Sequence, residues 1–199
     1  MGLNCMRGLV EKFGEKIVTE AIDILESYLE RATDNSQIIG ISKALLNMAA
    51  AAPTKLLSDM KMRYINIMDP YLANEAEEVR HNAVLVYITV FQRAFEAAFI
   101  AQNLKWSFLN KLHTFVVNKE EEKSRLLIGS LDEMIELAPD LKIEDKILNM
   151  CQIKIHDSPI TIAQARLMRC VAPNVAHNIF NKKFYHNFLV VLVKELTAD

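Results

Sequence analysis

Apolar residues recur along most of the chain at the spacing of one face of an α-helix. The segment KIVTEAIDILESYLE (16–30) shows this most clearly, because its apolar positions follow successive helical turns and acidic residues occupy the opposite side. The apolar positions are Ile17, Ala21, Ile24, Leu25 and Tyr28. This pattern predicts an amphipathic helix over 15–30.

Candidate helix starts recur at a regular spacing. Asn and Asp cap helices because their side chains accept hydrogen bonds from free amides of the first turn. Such residues stand at Asp34, Asn74, Asn118 and Asp157, with separations of 40, 44 and 39 residues. A repeat of about 40 residues is therefore predicted.

Three Ala-Pro motifs mark the expected joints between repeats, in AAPTKLL (51–57), LAPDLKI (137–143) and VAPNVAH (171–177). Proline ends a preceding helix and is tolerated in the first turn of the next. Pro53 and Pro139 lie 86 residues apart, or two repeats of 43, and Pro173 follows after a shorter interval of 34.

A period near 40 with two helices per repeat is typical of HEAT and armadillo arrays, in which neighbouring hairpins bury each other's apolar faces. We therefore predict an all-α solenoid forming a single array over 1–199, with half a unit at each end, as in an excerpt from a longer array. The predicted helices cover 3–13, 15–30 with 34–51, 53–70 with 75–95, 99–117 with 119–137, 139–155 with 158–172, and 180–197.

The segment LANEAEEVRHNAVLVYITVF (72–91) resembles the HEAT consensus, in which a turn amide or carboxylate precedes a Val-Arg pair at the start of the second helix. Asn74 precedes Arg80 by six residues. The resemblance implies that Arg80 belongs to a structural ladder with turn acids, and Asp69 is the candidate partner.

Charge is unevenly distributed, although the net charge is only −2. Residues 146–199 carry about +4 and the remainder about −6. This basic third is either ordinary solvated surface or a face for an acidic partner or a weak RNA contact. The pair Lys182-Lys183, followed by Phe184 and Tyr185, is the best candidate for an exposed partner-binding site.

No motif indicates catalysis, a cofactor or a metal. The chain lacks GxSxG, HExxH, Walker A and GxGxxG patterns. Cys151 and Cys170 occupy apolar helix positions and have no zinc-ligand spacing. The aromatic series Phe91, Phe95 and Phe99, with Trp106 beyond it, is either core or, if exposed beside cations, a stacking platform for nucleotides. We expect core residues and a protein that is not an enzyme.

Three unpaired cysteines, of which the third is Cys5, favour a reducing compartment. The N-terminus reads as an amphipathic helix without the apolar core of a signal peptide. The most apolar segment, FYHNFLVVLV (184–193), is too short to span a bilayer. A cytoplasmic location with no membrane contact is expected.

The N-terminal half also resembles the HEAT array of the translational activator Gcn-one family. The similarity lies in GLVEKFGEKIVTEAIDILESYLE, IIGISKALLNMAAAAP and EEVRHNAVLVYITVF, within 8–95. It implies a scaffold that binds ribosomes and helps to activate the kinase of initiation factor two alpha during amino-acid starvation.

The segment EEKSRLLIGSLDEMIELAPDL (121–141) is equally similar to repeats of importin-beta-type nuclear transport receptors. A fragment of such a receptor, or another HEAT scaffold subunit, therefore remains the alternative function. Neither resemblance implies a catalytic residue or a cofactor.

Overall fold

The computed structural model describes the backbone of residues 2–94, 96–151 and 158–171 and the side chains of 16–93, 96–151 and 162–170. Every regular element within these ranges is helical, and they contain no strand. The all-α prediction is thus confirmed. The chain divides into two compact units, Met1–Glu96 and Ala97–Asp199, each of which is described by itself. The predicted helix over 180–197 lies outside the described residues.

The first unit contains two pairs of long helices joined by short connections. Its helices are α1 (Gly2–Glu30), α2 (Asn35–Ala51), α3 (Thr54–Met68) and α4 (Glu77–Ala94), with a 3₁₀ turn at Asp69–Ala73. Helix α1 packs on α2, α3 packs on α4, and α2 also packs on α4. The core is aliphatic and aromatic, with Ile22, Leu45, Leu57, Val84 and Phe91 fully buried.

Helix α1 differs from the prediction in two ways. It is continuous across the predicted break between 13 and 15, since a helix tolerates Gly14 at a cost of about 1 kcal/mol when no proline follows. The face buried in the structure is also rotated from the predicted one, because Val18 and Ile22 are 1% and 0% exposed while Ile24 and Tyr28 are 56% and 62% exposed.

The second unit begins with one long helical run. Its helices are α5 (Ala97–Leu104), α6 (Lys111–Val117), α7 (Glu121–Leu137), α8 (Ile143–Cys151) and α9 (Ser158–Val171), with a 3₁₀ turn at Pro139–Leu141. A π-helical segment, Lys105–Asn110, joins α5 to α6. Helix α6 packs on α7 and α9, and α9 also packs on α7 and α8.

The π-helical segment keeps large apolar residues on one side of this run. Leu104, Phe108 and Leu112 are spaced by four and are all fully buried. A regular α-helix has 3.6 residues per turn, so side chains spaced by four residues move gradually around its surface. A π turn is wider and contains more residues, so it offsets this rotation. The segment therefore allows all three side chains to point into the core.

Helix starts follow the predicted caps only in part. The Asp34 carboxylate accepts from the Gln37 amide at 2.9 Å and caps α2, as predicted. Asn118 instead ends α6, because Lys119 adopts a positive φ of 58° and separates it from α7. Asp157 lies outside the described residues.

The Ala-Pro joints take two forms. At Pro53 the chain passes directly from α2 into α3, and the Leu57 amide donates to the Pro53 carbonyl at 2.9 Å. At Pro139 a 3₁₀ turn and a left-handed Lys142 intervene before α8 begins. The first joint matches the prediction and the second contains an extra turn, while Pro173 lies outside the described residues.

Candidate functional site

The predicted ladder residues form a local turn at the start of α4. The Arg80 guanidinium donates to the carbonyls of Asn74 at 2.7 Å and Glu75 at 2.9 Å. The Asn74 side chain accepts from the Ala76 amide, and the Asp69 carboxylate accepts from the Tyr87 hydroxyl at 2.9 Å. Arg80 therefore binds the turn backbone rather than the predicted partner Asp69, because its side chain folds back over the residues that precede its own helix.

We expect Arg80→Ala to lower the melting temperature, because two carbonyls of the turn lose a charged donor. Hydrogen bonds to charged groups contribute about 1.5–3 kcal/mol to stability. Because this turn is partly exposed, we expect the free energy of unfolding to fall by about 1.5 kcal/mol or less. Thermal unfolding followed by circular dichroism measures it, and Arg31→Ala, at an exposed position in the turn after α1, is the control. A melting temperature equal to that of the wild type would show that the turn does not need Arg80.

The predicted partner-binding residues Lys182 and Lys183 lie outside the described residues, and partner binding by them stays a prediction.

The predicted aromatic platform does not form. Phe91 and Phe99 are 0% and 7% exposed, Trp106 is 67% exposed, and Phe95 is outside the described residues. Phe91 and Phe99 are thus core, as expected, and among the described members of the series Trp106 alone has an accessible ring.

The described cysteines, Cys151 and Cys170, are both buried. Burial raises the pKa of the Cys151 thiol to about 12. A thiol that stays protonated at neutral pH is a poor nucleophile and a poor metal ligand. Among the described residues, no group of three or more His, Cys, Asp and Glu side chains could hold a metal ion.

The second unit contains a groove between α7 and α9 with a volume of about 700 Å³. We call it the α7–α9 groove. Its walls come from positions that recur every three or four residues on each helix, so each helix presents a single face to it. It is lined by Glu121, Ser124, Arg125, Ile128, Gly129 and Asp132 of α7 and by Arg166, Arg169 and Cys170 of α9.

Three guanidinium groups line this groove, and they differ in their partners. Arg166 binds the two oxygens of Glu121 at 2.9 and 2.8 Å and so joins the two helices. Arg125 donates to Glu122 on its own helix, and this hydrogen bond raises the pKa of the guanidinium. Arg169 is exposed and has no ion pair with any described residue. It is therefore the groove cation most available to a ligand.

The two acidic groups of the groove have different partners. Glu121 is bound by Arg166, and the Asp132 carboxylate lies against the Cys170 thiol, which also contacts the Arg166 carbonyl at 3.5 Å. Burial, and then the charge of Asp132, raise the pKa of Cys170 to about 12. The thiol is thus a neutral hydrogen-bond donor at the edge of the groove.

Two small residues of α7 line the groove without an evident packing role. Ser124 is 1% exposed, yet its hydroxyl has no hydrogen-bond partner in the structure. A β-carbon added at Gly129 would meet no atom within 4 Å, so no described neighbour requires glycine there. Both residues leave polar backbone or side-chain atoms near the groove that a ligand could contact.

Sequence reasoning did not find this groove. The sequence placed a helix start at Asn118, and it placed Arg166 and Arg169 in the basic third of the chain without assigning either a role. Arg166 and Glu121 are 45 residues apart, so their pairing is visible only in the folded chain. The available signal was the mid-helix glycine of α7, since Gly is unfavourable there unless something requires it.

No helix of the described residues is long and apolar enough to cross a membrane. No family model matches the chain, and no curated protein or solved structure is significantly similar to it.

Proposed function

We propose that this protein is a non-enzymatic scaffold of stacked helical pairs, of the HEAT type, that binds other proteins. The functional model that we adopt is the translational activator whose array its N-terminal half resembles. In that role the chain would bind the ribosome and a protein kinase, and it would act in the cytoplasm during amino-acid starvation.

One observation supports stacking above the others: bonds between helices of successive pairs span about one predicted repeat. In the first unit, Arg63 of α3 binds Glu26 of α1, 37 residues away, at 2.6 and 3.2 Å. Helices α2 and α4 are linked by Lys43 and Glu78, 35 residues apart. These separations agree with a sequence repeat of about 40 residues.

The second unit has a bond of comparable span. Arg166 of α9 binds Glu121 of α7, 45 residues earlier. Bonds between helices of consecutive pairs in both units support the neighbour relation on which a solenoid depends. The buried, protonated thiols of Cys151 and Cys170 also favour a binding role over nucleophilic chemistry.

A scaffold of this kind works by proximity. If one array holds a ribosome and a kinase together, the second binding event becomes intramolecular. For a short connection, the effective concentration of the second partner is then in about the millimolar range. The overall avidity exceeds the affinity of either single contact by about 10²–10⁴-fold. No bond is made or broken on the scaffold itself. Its contribution is to select partners and to hold them at a fixed separation.

Sedimentation with eukaryotic ribosomes through a sucrose cushion, across a salt series, tests the ribosome-binding part. We expect the chain to pellet at low salt and to be released as salt increases, because screening weakens contacts between surface charges. The double variant Lys182→Glu with Lys183→Glu should pellet less. The matched control, Lys55→Glu with Lys105→Glu, reverses two exposed lysines elsewhere and should pellet like the wild type.

Absence of pelleting at low salt would overturn ribosome binding by this chain. Pelleting that is equal for the two double variants would leave ribosome binding in place but remove Lys182 and Lys183 from the contact.

A further inference from the structure

We propose that the α7–α9 groove binds an acidic segment of a partner protein, with Arg169 and Arg125 as its carboxylate-binding residues. This inference rests on the proposed role as a protein-binding scaffold and specifies the ligand class of one site. The occupant is an extended peptide with at least one Asp or Glu side chain next to an apolar one.

The dimensions of the groove suit a short extended peptide. Its lining on α7 runs from Glu121 to Asp132, which corresponds to about 16 Å along the helix axis at about 1.5 Å per residue. An extended chain advances about 3.3 Å per residue, so roughly five residues fit along this length. A peptide of that size also matches an open groove better than a small molecule, which favours an enclosed pocket.

The charges favour a carboxylate ligand. Three guanidinium groups line the groove against two carboxylates, and one of those carboxylates, Glu121, is already bound by Arg166. Arg169 lacks an ion-pair partner among the described residues, and the exposed pair between Arg125 and Glu122 is weak enough for a ligand to displace. Guanidinium groups bind carboxylates through two parallel hydrogen bonds.

The same charges disfavour nucleic acid. Binding a phosphate backbone relies on neutralising a run of adjacent phosphates with cations. Here the carboxylates of Glu121 and Asp132 stand among the guanidinium groups that line the groove. A ligand with single, spaced negative charges avoids these carboxylates, whereas a polyanion does not.

Ser124 and Gly129 explain how such a peptide is held. A buried hydroxyl without a partner is unfavourable, and a peptide amide or carbonyl in the groove would supply the missing hydrogen bond. Gly129 leaves the groove wall without a side chain, which permits close approach of a ligand backbone. Ile128 provides the apolar surface beside them.

Fluorescence anisotropy of the full chain tests this proposal with a labelled decapeptide that has two Glu residues four positions apart, each next to a Leu, and Ser elsewhere. We expect saturable binding that weakens with salt and no binding of a matched decapeptide in which Lys replaces both Glu residues. Arg169→Glu should weaken binding by about tenfold or more, because it places a like charge opposite the ligand. Lys55→Glu, a charge reversal outside the groove, should leave the affinity unchanged.

A second pair of variants separates blocking of the groove from a general change in charge. Gly129→Leu projects a side chain into the open groove and should also weaken binding by about tenfold. It should retain the fold, since a β-carbon at this position meets no atom within 4 Å. Gly40→Leu is the matched control, because Gly40 lies in α2 of the first unit with equally open surroundings. Circular dichroism verifies that both variants are folded.

Failure to bind the acidic decapeptide, or binding that is unchanged by both groove variants, would overturn the proposal. Binding of single-stranded poly(U) that is lost in the same two variants would replace a peptide ligand with RNA and would overturn it as well. The ribosome-pelleting assay separates this outcome from the proposed function. If the groove variants pellet normally while the peptide does not bind, only the present inference fails.

Discussion

Replacing Phe91 by Ala is expected to remove about 3–5 kcal/mol from the free energy of unfolding of the first unit. The ring is fully buried and lies edge-on to Tyr87, with centroids 5.6 Å apart and planes at 78°. Truncation loses the transfer energy of the ring, the edge-to-face contact and the packing around the resulting cavity. Since domains are stable by only about 5–15 kcal/mol, this variant should be close to unfolding.

Urea unfolding followed by circular dichroism at the helical band measures this loss, as a lower midpoint with an unchanged slope. Trp106→Ala is the informative control, because Trp106 is also a large aromatic residue but is 67% exposed. It should cost less than about 0.5 kcal/mol, as is usual for surface substitutions. Equal losses at the two positions would contradict the burial described here and would restore Phe91 as a candidate for ligand contact.

Arg93→Ala should produce the second largest loss, about 2–3 kcal/mol. The guanidinium at the end of α4 donates to three carbonyls at the C-terminus of α2: Ala49 at 2.6 Å, Ala50 at 3.0 Å and Ala52 at 2.6 Å. The last carbonyls of a helix have no hydrogen-bond partner within the helix, and they form the negative end of its dipole. The half-buried Arg93 guanidinium therefore stabilises this helix end both by hydrogen bonding to the carbonyls and by its positive charge.

Arg93→Lys distinguishes charge from geometry. A lysine ammonium keeps the favourable charge but lacks the planar fork that reaches several carbonyls at once, so it should recover less than half of the loss. The urea unfolding midpoints compare the stabilities of the two variants. In Arg93→Ala, hydrogen exchange should also accelerate at the Ala52 amide, which donates to the Met48 carbonyl. If lysine restores full stability, the helix dipole alone explains the contact.

The sequence predicted those features of the fold that depend on local chemistry. Helical spacing of apolar residues indicated an all-α chain, and Asp34 caps α2 because its side chain reaches an amide only three residues away. The Pro53 joint followed from the missing amide of proline. Each of these depends on residues within one or two helical turns.

The features that were missed depend on contacts across the fold. The contacts of Arg93 were not predicted, since nothing local connects this residue to carbonyls 41 to 44 residues earlier. The buried face of α1 was assigned by counting apolar residues, but the position of α2 selects Val18 and Ile22 instead. Arg80 was assigned to an acid by resemblance, whereas its long side chain reaches the nearer turn carbonyls.

The π-helical segment at Lys105–Asn110 has a consequence for the ancestry of this chain. A wide turn accommodates one residue more than an α-helical turn while the flanking helices keep their faces, so a single-codon insertion can be absorbed inside a helix without a new loop. Alignment of this chain with a relative that has a regular helix here therefore requires a one-residue gap within 105–110. Deleting one residue from this segment should return the run to uniform α-helix, which is the form such an ancestor would have had.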